Sequence, residues 1–586
     1  MGLKPLAKKG KIKPYAVWDI ETTTDLKRVF LVGYYDGRDY RHWESKPLPP
    51  ENPDSAIAQY LRWQFETPTK RALYGHNAGN FDSVFALATI IKLFPEHKVE
   101  IIPSQSSILC MKVTDKRDRT WKFLDSARTL PDSLENLGQC FLGHGKTEGI
   151  DYEKLHLDPR RYDYLKNDCV LLYDVLSKYF TLLYDRIGGQ AGISAASTAL
   201  ATYRTSYQNR ELPEISEHAA ALSRAGYYGG RCEPFRREFK ASAEAPQLYD
   251  YDVNSMYPWA MRHQQPVEEI EGLNGLHLEL TGFVDATVTV RKCHVPILPC
   301  RAENRLLFPW GVWRGTFSTA ELRLATEARQ LDSIQVHDYV YFRTEDIFSD
   351  YVNALYKFRD KSSTEWELAL DRMAKIGLNS LYGKFGSQAV RETIHIRPTL
   401  DEMIDKQMQQ LPGSVDVDCF IERSERHAAY MLPQISAWIT ALGRCRLARA
   451  LLEAGESAYY CDTDSVFTTS TLKTGSHLGE WKNEHPVDPI VYAYFLAPKV
   501  YVFRHASGKV TNKAKGFSKF AEKLPPDAVA LLAAGKGLEV SRFAKARSVI
   551  RGDFGLILSQ KRCHLEYEKR IFHDDGSSEP RKVELA

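Results

Sequence analysis

The chain has 586 residues, of which 43% are hydrophobic and 26% charged, and carries a formal net charge of +3. This length allows several domains, the composition is that of a soluble globular protein, and so small a charge permits a nucleic-acid partner without arguing for one. Ten scattered cysteines with no CxxC pair exclude a disulfide framework and point to a reducing compartment.

The first residues, "MGLKPLAKKGKIKP", are basic and lack an apolar core, so no secretory signal is expected. They also lack the Arg- and Ser-rich character of a mitochondrial presequence, and Leu6 stands where myristoylation needs Ser or Thr. No run of about eighteen apolar residues occurs, so no membrane span is expected. "YAVWDIE", residues 15–21, and "RVFLVGYY", closed by Asp36-Gly37, read as the first strands. Helical patterns dominate residues 160–187 and stop at Gly188-Gly189, where we place a domain boundary. The glycine-rich "AGYYGGRCEPF", residues 225–235, is a second boundary signal, and "QLYDYDVNSMYP" reads as a strand ending at Pro258. Residues 362–382 read as a long helix with a Thr364/Glu367 capping box and Gly383 as its stop. A polar stretch at 387–418 reads as an inserted loop or small subdomain. Cys293-His294 with Cys300 has no matching second pair nearby and reads as isolated cysteines rather than a zinc site.

"YYCDTDSV", residues 459–466, reads as strand, turn and strand. In extended backbone Asp462 and Asp464 face the same way. If the strand bearing Asp252 lies beside them, three carboxylates converge and can hold two Mg²⁺ ions, with Mn²⁺ as a substitute. On the helix "AKIGLNSLYG", Lys375, Asn379 and Tyr382 share one face, which suits phosphate, sugar or base, and stacking. Ile376, Leu378 and Leu381 lie off that face.

A second constellation lies nearer the start. Asp19 and Glu21 share one strand face, "HNAGNFDSVF" adds Asp82 with Asn77 and Phe81 nearby, and Tyr164 and Asp168 are one helical turn apart. Four carboxylates and a tyrosine suit a two-metal hydrolytic site in which the tyrosine orients water.

"DVNSMYP", "KIGLNSLYG" and "YCDTDS" resemble, in order, the A, B and C motifs of family B DNA polymerases. "KVY", with Lys499 and Tyr501, resembles the family's KxY motif at the primer terminus. "YYGG", with Tyr227, Gly229 and Gly230, resembles its YxGG linker motif. The first constellation along the chain resembles the three motifs of DEDDy 3′–5′ exonucleases. Lys146 resembles the lysine that assists this exonuclease in protein-primed enzymes, although the spacing is one residue longer and a solvated loop lysine is an equal reading. "DSARTLPDSLENLG" resembles a motif contacting single-stranded DNA and terminal protein, with Ser133 and Leu134 as candidates and Ser126 as the alternative alignment.

The chain is therefore similar over nearly its whole length to the protein-primed, phi29-like branch of the family. That resemblance implies a multidomain α/β and α+β fold: an RNase H-like exonuclease domain (1–190), then a right-hand polymerase. The polymerase divides into palm (191–260 and 431–525), fingers (351–386) and thumb (526–586), with insertions at 261–350 and 387–430. In the family the first insertion contacts terminal protein and the second encloses DNA and separates strands. The resemblance implies metal at Asp252, the Val253 carbonyl, Asp462 and Asp464, and at Asp19, Glu21, Asp82 and Asp168. It implies dNTP contacts from Val253, Tyr257 as steric gate, Lys375, Asn379 and Tyr382. DNA contacts follow from Asn77, Phe81, Ser133, Leu134, Lys146, Tyr227, Gly229, Gly230, Lys499 and Tyr501. The implied partners are primer-template DNA, dNTPs and a terminal protein; a monomer acting in a host cytoplasm is expected, with a mitochondrial plasmid origin left open. Initiation without terminal protein is the alternative, and an inactive DNA-binding protein the more distant one.

Overall fold

The computed structural model describes residues 2–7, 12–67, 71–104, 107–359, 365–388, 390–413, 417–425, 428–514, 528–536, 538–543, 545–551, 556–561 and 569–585. Its largest element is a ten-stranded mixed sheet. Strands Tyr15–Thr22, Ala72–Gly75 and Thr120–Asp125 form its parallel centre, and Val29–Tyr35 and Tyr40–Leu48 close one edge. The first strand is apolar without alternation because both faces are covered. Tyr15 and Val17 pack with the helix Arg161–Asp185, whereas Ala16, Trp18 and Ile20 pack with the helices Ala56–Glu66 and Asp82–Leu93. The helix Arg161–Asp185 ends just before Gly188, which takes a positive φ of 71°.

The polar stretch after residue 387 extends this same sheet. Strand Val390–Ile396 pairs with Lys98–Ser104 on one side and with Cys419–Glu425 on the other. The Arg397 guanidinium then donates to the carbonyls of Phe94 (3.2 Å), His97 (3.3 Å) and Ile91, which close the C-terminus of the helix Asp82–Leu93. A cation there satisfies orphan carbonyls and complements the helix dipole.

A second sheet carries five strands in the order Trp481–Asn483, Tyr249–Val253, Ser465–Thr468, Ala458–Asp462 and Cys232–Pro234. The helix Pro433–Ala454 packs on it through Leu447, Ala450 and Leu451. A third sheet forms residues 265–345 into antiparallel strands, and Lys582–Leu585 adds to its edge, parallel to Trp310–Ser318. The helix Glu365–Phe385 crosses between these bodies and packs on Ala195–Ser206 and Leu134–Leu142. No helix among the described residues is long and apolar enough to cross a membrane, and the nine described cysteines are free.

Two punctuation signals read differently in the structure. Pro258 does not end a strand: the strand stops at Val253, Ser255 takes a positive φ of 55°, and Pro258 lies in the first turn of the helix Met256–Met261. An early helical position needs no intrahelical N–H, so proline is tolerated there. Gly383 does not stop its helix, which continues to Phe385; Phe385 is fully buried, and its packing outweighs the glycine's weak helix preference. Thr364 of the expected capping box lies outside the described residues.

Two candidate active sites

The first site lies at the end of the strand Tyr15–Thr22. Oxygens of Asp19, Glu21 and Asp168 come within 4.8 Å of one another. Asp82 opens the helix Asp82–Leu93, where negative charge is favoured, and its Oδ1 accepts the Ile20 N–H at 3.3 Å. Burial pushes Asp19, Glu21 and Asp82 above the usual carboxylate range, with neighbouring carboxylates adding to the effect at Glu21 and Asp82. Asp168 rises to about 6 through burial, opposed by Lys146. Such a crowd of oxygens, with one lysine to balance it, fits a divalent cation.

Lys146 belongs to this site. Its Nζ lies 2.6 Å from Asp168 Oδ2 and donates to the Tyr164 hydroxyl at 2.8 Å. Its own backbone N–H is held by Glu135 Oε2 at 2.6 Å. The solvated-loop reading is thus overturned. Beside the carboxylates opens a groove of about 510 Å³, lined by His76, Asn77, Asn80, Ser133, Leu134 and Lys146 among others. Phe81 packs edge-on to Phe85, ring centres 5.1 Å apart. Ser133 caps the helix Leu134–Leu142 at the groove wall, whereas Ser126 is buried and bonds the Gly75 carbonyl and His76 Nδ1. Of the two alignments, the structure brings Ser133 and Leu134 to the groove. Sequence reading missed His76 and also Arg372, which leaves the helix Glu365–Phe385 to pair with Asp132 on the groove rim.

The second site sits on the second sheet. Asp252 pairs in register with Ser465, and the Val253 N–H donates to the Asp464 carbonyl at 2.9 Å. Thr463 takes a positive φ of 61°, so the hairpin tip is a turn and not the extended backbone that sets residues i and i+2 on one face. Burial and then the Asp464 charge push Asp252 up to about 7, and burial and then the Asp462 charge push Asp464 up to about 6, so the carboxylates at this turn lie close enough to raise one another. Asp462 instead pairs with Lys499, itself at a positive φ of 62°. Among the described residues, this trio does not gather its oxygens as tightly as the first site does. Asp252 and Asp464 form no ion pair among the described residues, and they fit a divalent cation. Lys482, opposite Asp252 in register, escaped sequence reading.

Of the expected side chains, Tyr257 and Tyr382 lie near Asp464. The rings of Tyr257 and Tyr382 lie 4.4 Å apart. Lys375 and Asn379 are exposed while Leu378 and Leu381 are buried, so the polar face is real. Tyr501 packs 5.1 Å from Tyr460, whose hydroxyl accepts the Lys499 N–H at 2.7 Å. The Tyr227–Gly230 turn is held by buried Arg444, which donates to the Tyr228 and Gly229 carbonyls and pairs with Glu321 at 2.8 Å. A Cβ on Gly230 would fall 2.7 Å from the Thr463 methyl, so only glycine fits under the turn.

Residues 145–465 match the family described as DNA polymerase type B, organellar and viral. The chain belongs to this family. Among the relatives of this chain, a "Probable DNA polymerase" of Ascobolus immersus is 26% identical, covering 84% of this chain and 45% of the relative. The chain thus spans about half the length of the first curated relatives it matches. The "DNA-directed DNA polymerase" of Enterobacteria phage PRD1 is 25% identical over 87% of this chain and 88% of the relative. The solved phi29 DNA polymerase in complex with primer-template DNA and incoming nucleotide superposes at TM-score 0.71, with 19% identity over 94% of this chain and all of that one. The fold is therefore the multidomain fold of phi29 DNA polymerase.

Proposed function

We propose that this chain is a DNA-directed DNA polymerase with a 3′–5′ proofreading exonuclease. The observation that carries the reading is the adjacency of Asp252 to the Asp462–Asp464 turn, with Asp252 in register with Ser465 and the Val253 N–H on the Asp464 carbonyl, together with the close Tyr257 and Tyr382 rings and the Lys499–Asp462 ion pair. Mg²⁺, or Mn²⁺ in its place, held by Asp252, Asp464 and the Val253 carbonyl would supply charge neutralisation and lower the pKa of the attacking hydroxyl.

The chain's own residues do the rest. A primer 3′-hydroxyl, or a terminal-protein hydroxyl at initiation, attacks the α-phosphate of a dNTP and pyrophosphate leaves. Lys375 and Asn379 meet the triphosphate; Tyr257 lies under the sugar and excludes a 2′-hydroxyl. Lys499 and Tyr501 hold the primer end, and Lys499 also fixes Asp462. A frayed end passes by Asn77, Phe81, Ser133 and Leu134 to Asp19, Glu21, Asp82 and Asp168. There Tyr164 orients the attacking water, and Lys146 holds the Tyr164 hydroxyl and Asp168 in place. The assigned domain bounds go with this reading: exonuclease 1–190, palm 191–260 and 431–525, insertions 261–350 and 387–430, fingers 351–386 and thumb 526–586. As a monomer in a host cell, it would replicate a linear viral or plasmid genome and displace the strand ahead.

The test is extension of a singly primed, single-stranded circle with Mg²⁺, dNTPs and a trap for dissociated enzyme. Products many circles long support polymerisation with strand displacement. Products of one circle or less keep the polymerase and remove displacement, and no extension removes the polymerase. Transfer of labelled dNMP to a protein hydroxyl in the same extract tests protein priming.

A further inference from the structure

Beneath the Asp462–Asp464 turn lies a buried ion cluster that the proposed chemistry does not use. Arg231 and Glu233 flank Cys232 at the strand Cys232–Pro234, and Arg570 enters from a hairpin formed by Arg570–Phe572 and Ser578–Pro580. All three side chains are at most 2% exposed. Glu233 Oε1 accepts from Arg231 Nε at 2.8 Å and Nη2 at 2.5 Å, and lies 3.9 Å from Arg570 Nη1. Arg231 Nη1 donates to the Pro296 carbonyl at 2.7 Å.

Arg570 is the fastener of its own segment. Its Nε donates to Ser578 Oγ at 2.8 Å, and its Nη2 donates to the His294 carbonyl at 3.0 Å and the Ser578 carbonyl at 3.2 Å. Ser578 Oγ in turn donates to the Phe235 carbonyl at 2.6 Å, and the guanidinium stacks 4.6 Å from the Phe235 ring. Further contacts tie residues 569–585 to three bodies. Glu579 pairs with Lys292 at 2.5 Å, the Trp310 indole donates to the Pro580 carbonyl at 3.1 Å, and Phe572 stacks 3.9 Å from Arg237. Arg237 also donates to the Phe495 carbonyl in the strand that leads to Lys499.

The link to the site runs through backbone. The Arg231 carbonyl accepts the Thr463 N–H at 2.7 Å, and Cys232 and Glu233 pair in register with Asp462 and Cys461. The strand holding Glu233 is thus the rail on which Asp462 and the positive-φ turn rest. Glu233 is already neutralised by Arg231, so a second guanidinium is more than charge balance requires. Burying it is costly unless it is paired and hydrogen-bonded; Nε and Nη2 have hydrogen-bond partners, and Nη1 has the Glu233 carboxylate at 3.9 Å. Burial brings the Arg570 pKa down to about 10, with Glu233 opposing.

We propose that Arg570 is a positioning residue for nucleotidyl transfer: residues 569–585 form a strap whose guanidinium fixes the Arg231–Glu233 rail and, through it, the Asp462–Asp464 turn. The inference rests on the polymerase reading above. The contacts above join the strap to the second site's sheet, to the 265–345 sheet and to the sheet of Ile490–Ala497 and Val500–His505 that flanks Lys499, none of which carries the carboxylates of the first site.

The experiment measures single-turnover dNTP incorporation and single-strand degradation on the same preparations of unmodified protein, Arg570→Met, Arg570→Lys and Ser578→Ala. Arg570→Met should lower the maximal incorporation rate by about ten- to a hundredfold, because small misplacements of reacting groups carry penalties of that order. The dNTP KM and the degradation rate should stay within about twofold, since neither binding nor the first site is touched. Arg570→Lys should restore part of the rate, and Ser578→Ala should show a smaller loss of the same kind. Unchanged incorporation in Arg570→Met, or a parallel fall of incorporation and degradation, overturns the proposal. If Arg570→Met does not fold, Ser578→Ala decides: a selective loss of incorporation supports the strap and none overturns it. Absence of incorporation by the unmodified protein would count against the polymerase reading instead.

Discussion

Lys146 Nζ lies 2.6 Å from Asp168 Oδ2 and 2.8 Å from the Tyr164 hydroxyl, so one ammonium group ties the buried carboxylate to the tyrosine a helical turn away. Replacing it with methionine leaves Asp168 buried without its cation. Lys146→Met should cut degradation of single-stranded DNA by about a hundredfold while dNTP incorporation stays unchanged. Single-turnover digestion of a labelled oligonucleotide, beside primer extension, checks this. Equal loss of both activities would contradict it.

Asp252 carries a signed pH prediction. Its folded pKa, about 7, lies above its unfolded value, so between those two values the folded state binds more protons than the unfolded one. The resulting contribution to stability is fully present below about pH 4 and is lost as pH rises through about 7. Asp252→Asn should therefore stabilise the cation-free protein at pH 8 by about 1–3 kcal/mol, after discounting for partial solvent screening. That advantage should vanish near pH 4. Urea unfolding at both pH values measures it, and an advantage that is the same at both contradicts the assignment.

How far the sequence anticipates these sites depends on whether the signal is local. Asp19 with Glu21, Tyr164 with Asp168, and Lys375 with Asn379 are set by strand or helix periodicity, and the structure keeps each pair on one face. Asp462 and Asp464 show where that logic stops: the positive φ of Thr463 is a turn property, and Asp462 takes Lys499 as its partner whereas Asp464 forms no ion pair among the described residues. Lys146 could not be decided from its own loop, because its partners lie on a helix beyond it. Arg231, Glu233, Arg444 and Arg570 were invisible for a stronger reason. Each looks like an ordinary surface charge until tertiary packing buries it against a partner far along the chain. Pro258 and Gly383 misled because helix context, not residue type, decides whether they interrupt.

Tyr257 is wedged against Tyr382 with ring centres 4.4 Å apart, which fixes it beneath the proposed sugar position. Tyr257→Val should open that space and reduce discrimination against rNTPs by about tenfold or more. Incorporation of matched rNTP and dNTP, compared by kcat/KM, gives the answer. Unchanged discrimination would remove the steric role.

Arg397 joins the 387–430 insertion to the helix that begins with Asp82, by donating to Ile91, Phe94 and His97. Arg397→Ala leaves those carbonyls unpaired and should destabilise the junction by about 1–3 kcal/mol. Limited proteolysis should then cut near residues 397–418 faster than in the unmodified protein, and products on the primed circle should shorten. Identical protease kinetics would show that the sheet pairing alone holds the insertion.

The most direct measurement of the central claim, two separate sites for synthesis and degradation in one chain, uses a labelled primer-template followed in both directions. Asp464→Ala should lose extension and keep digestion of single strands; Asp19→Ala with Glu21→Ala should extend and no longer digest. Extension surviving in Asp464→Ala, or both activities vanishing together in either variant, would contradict the account.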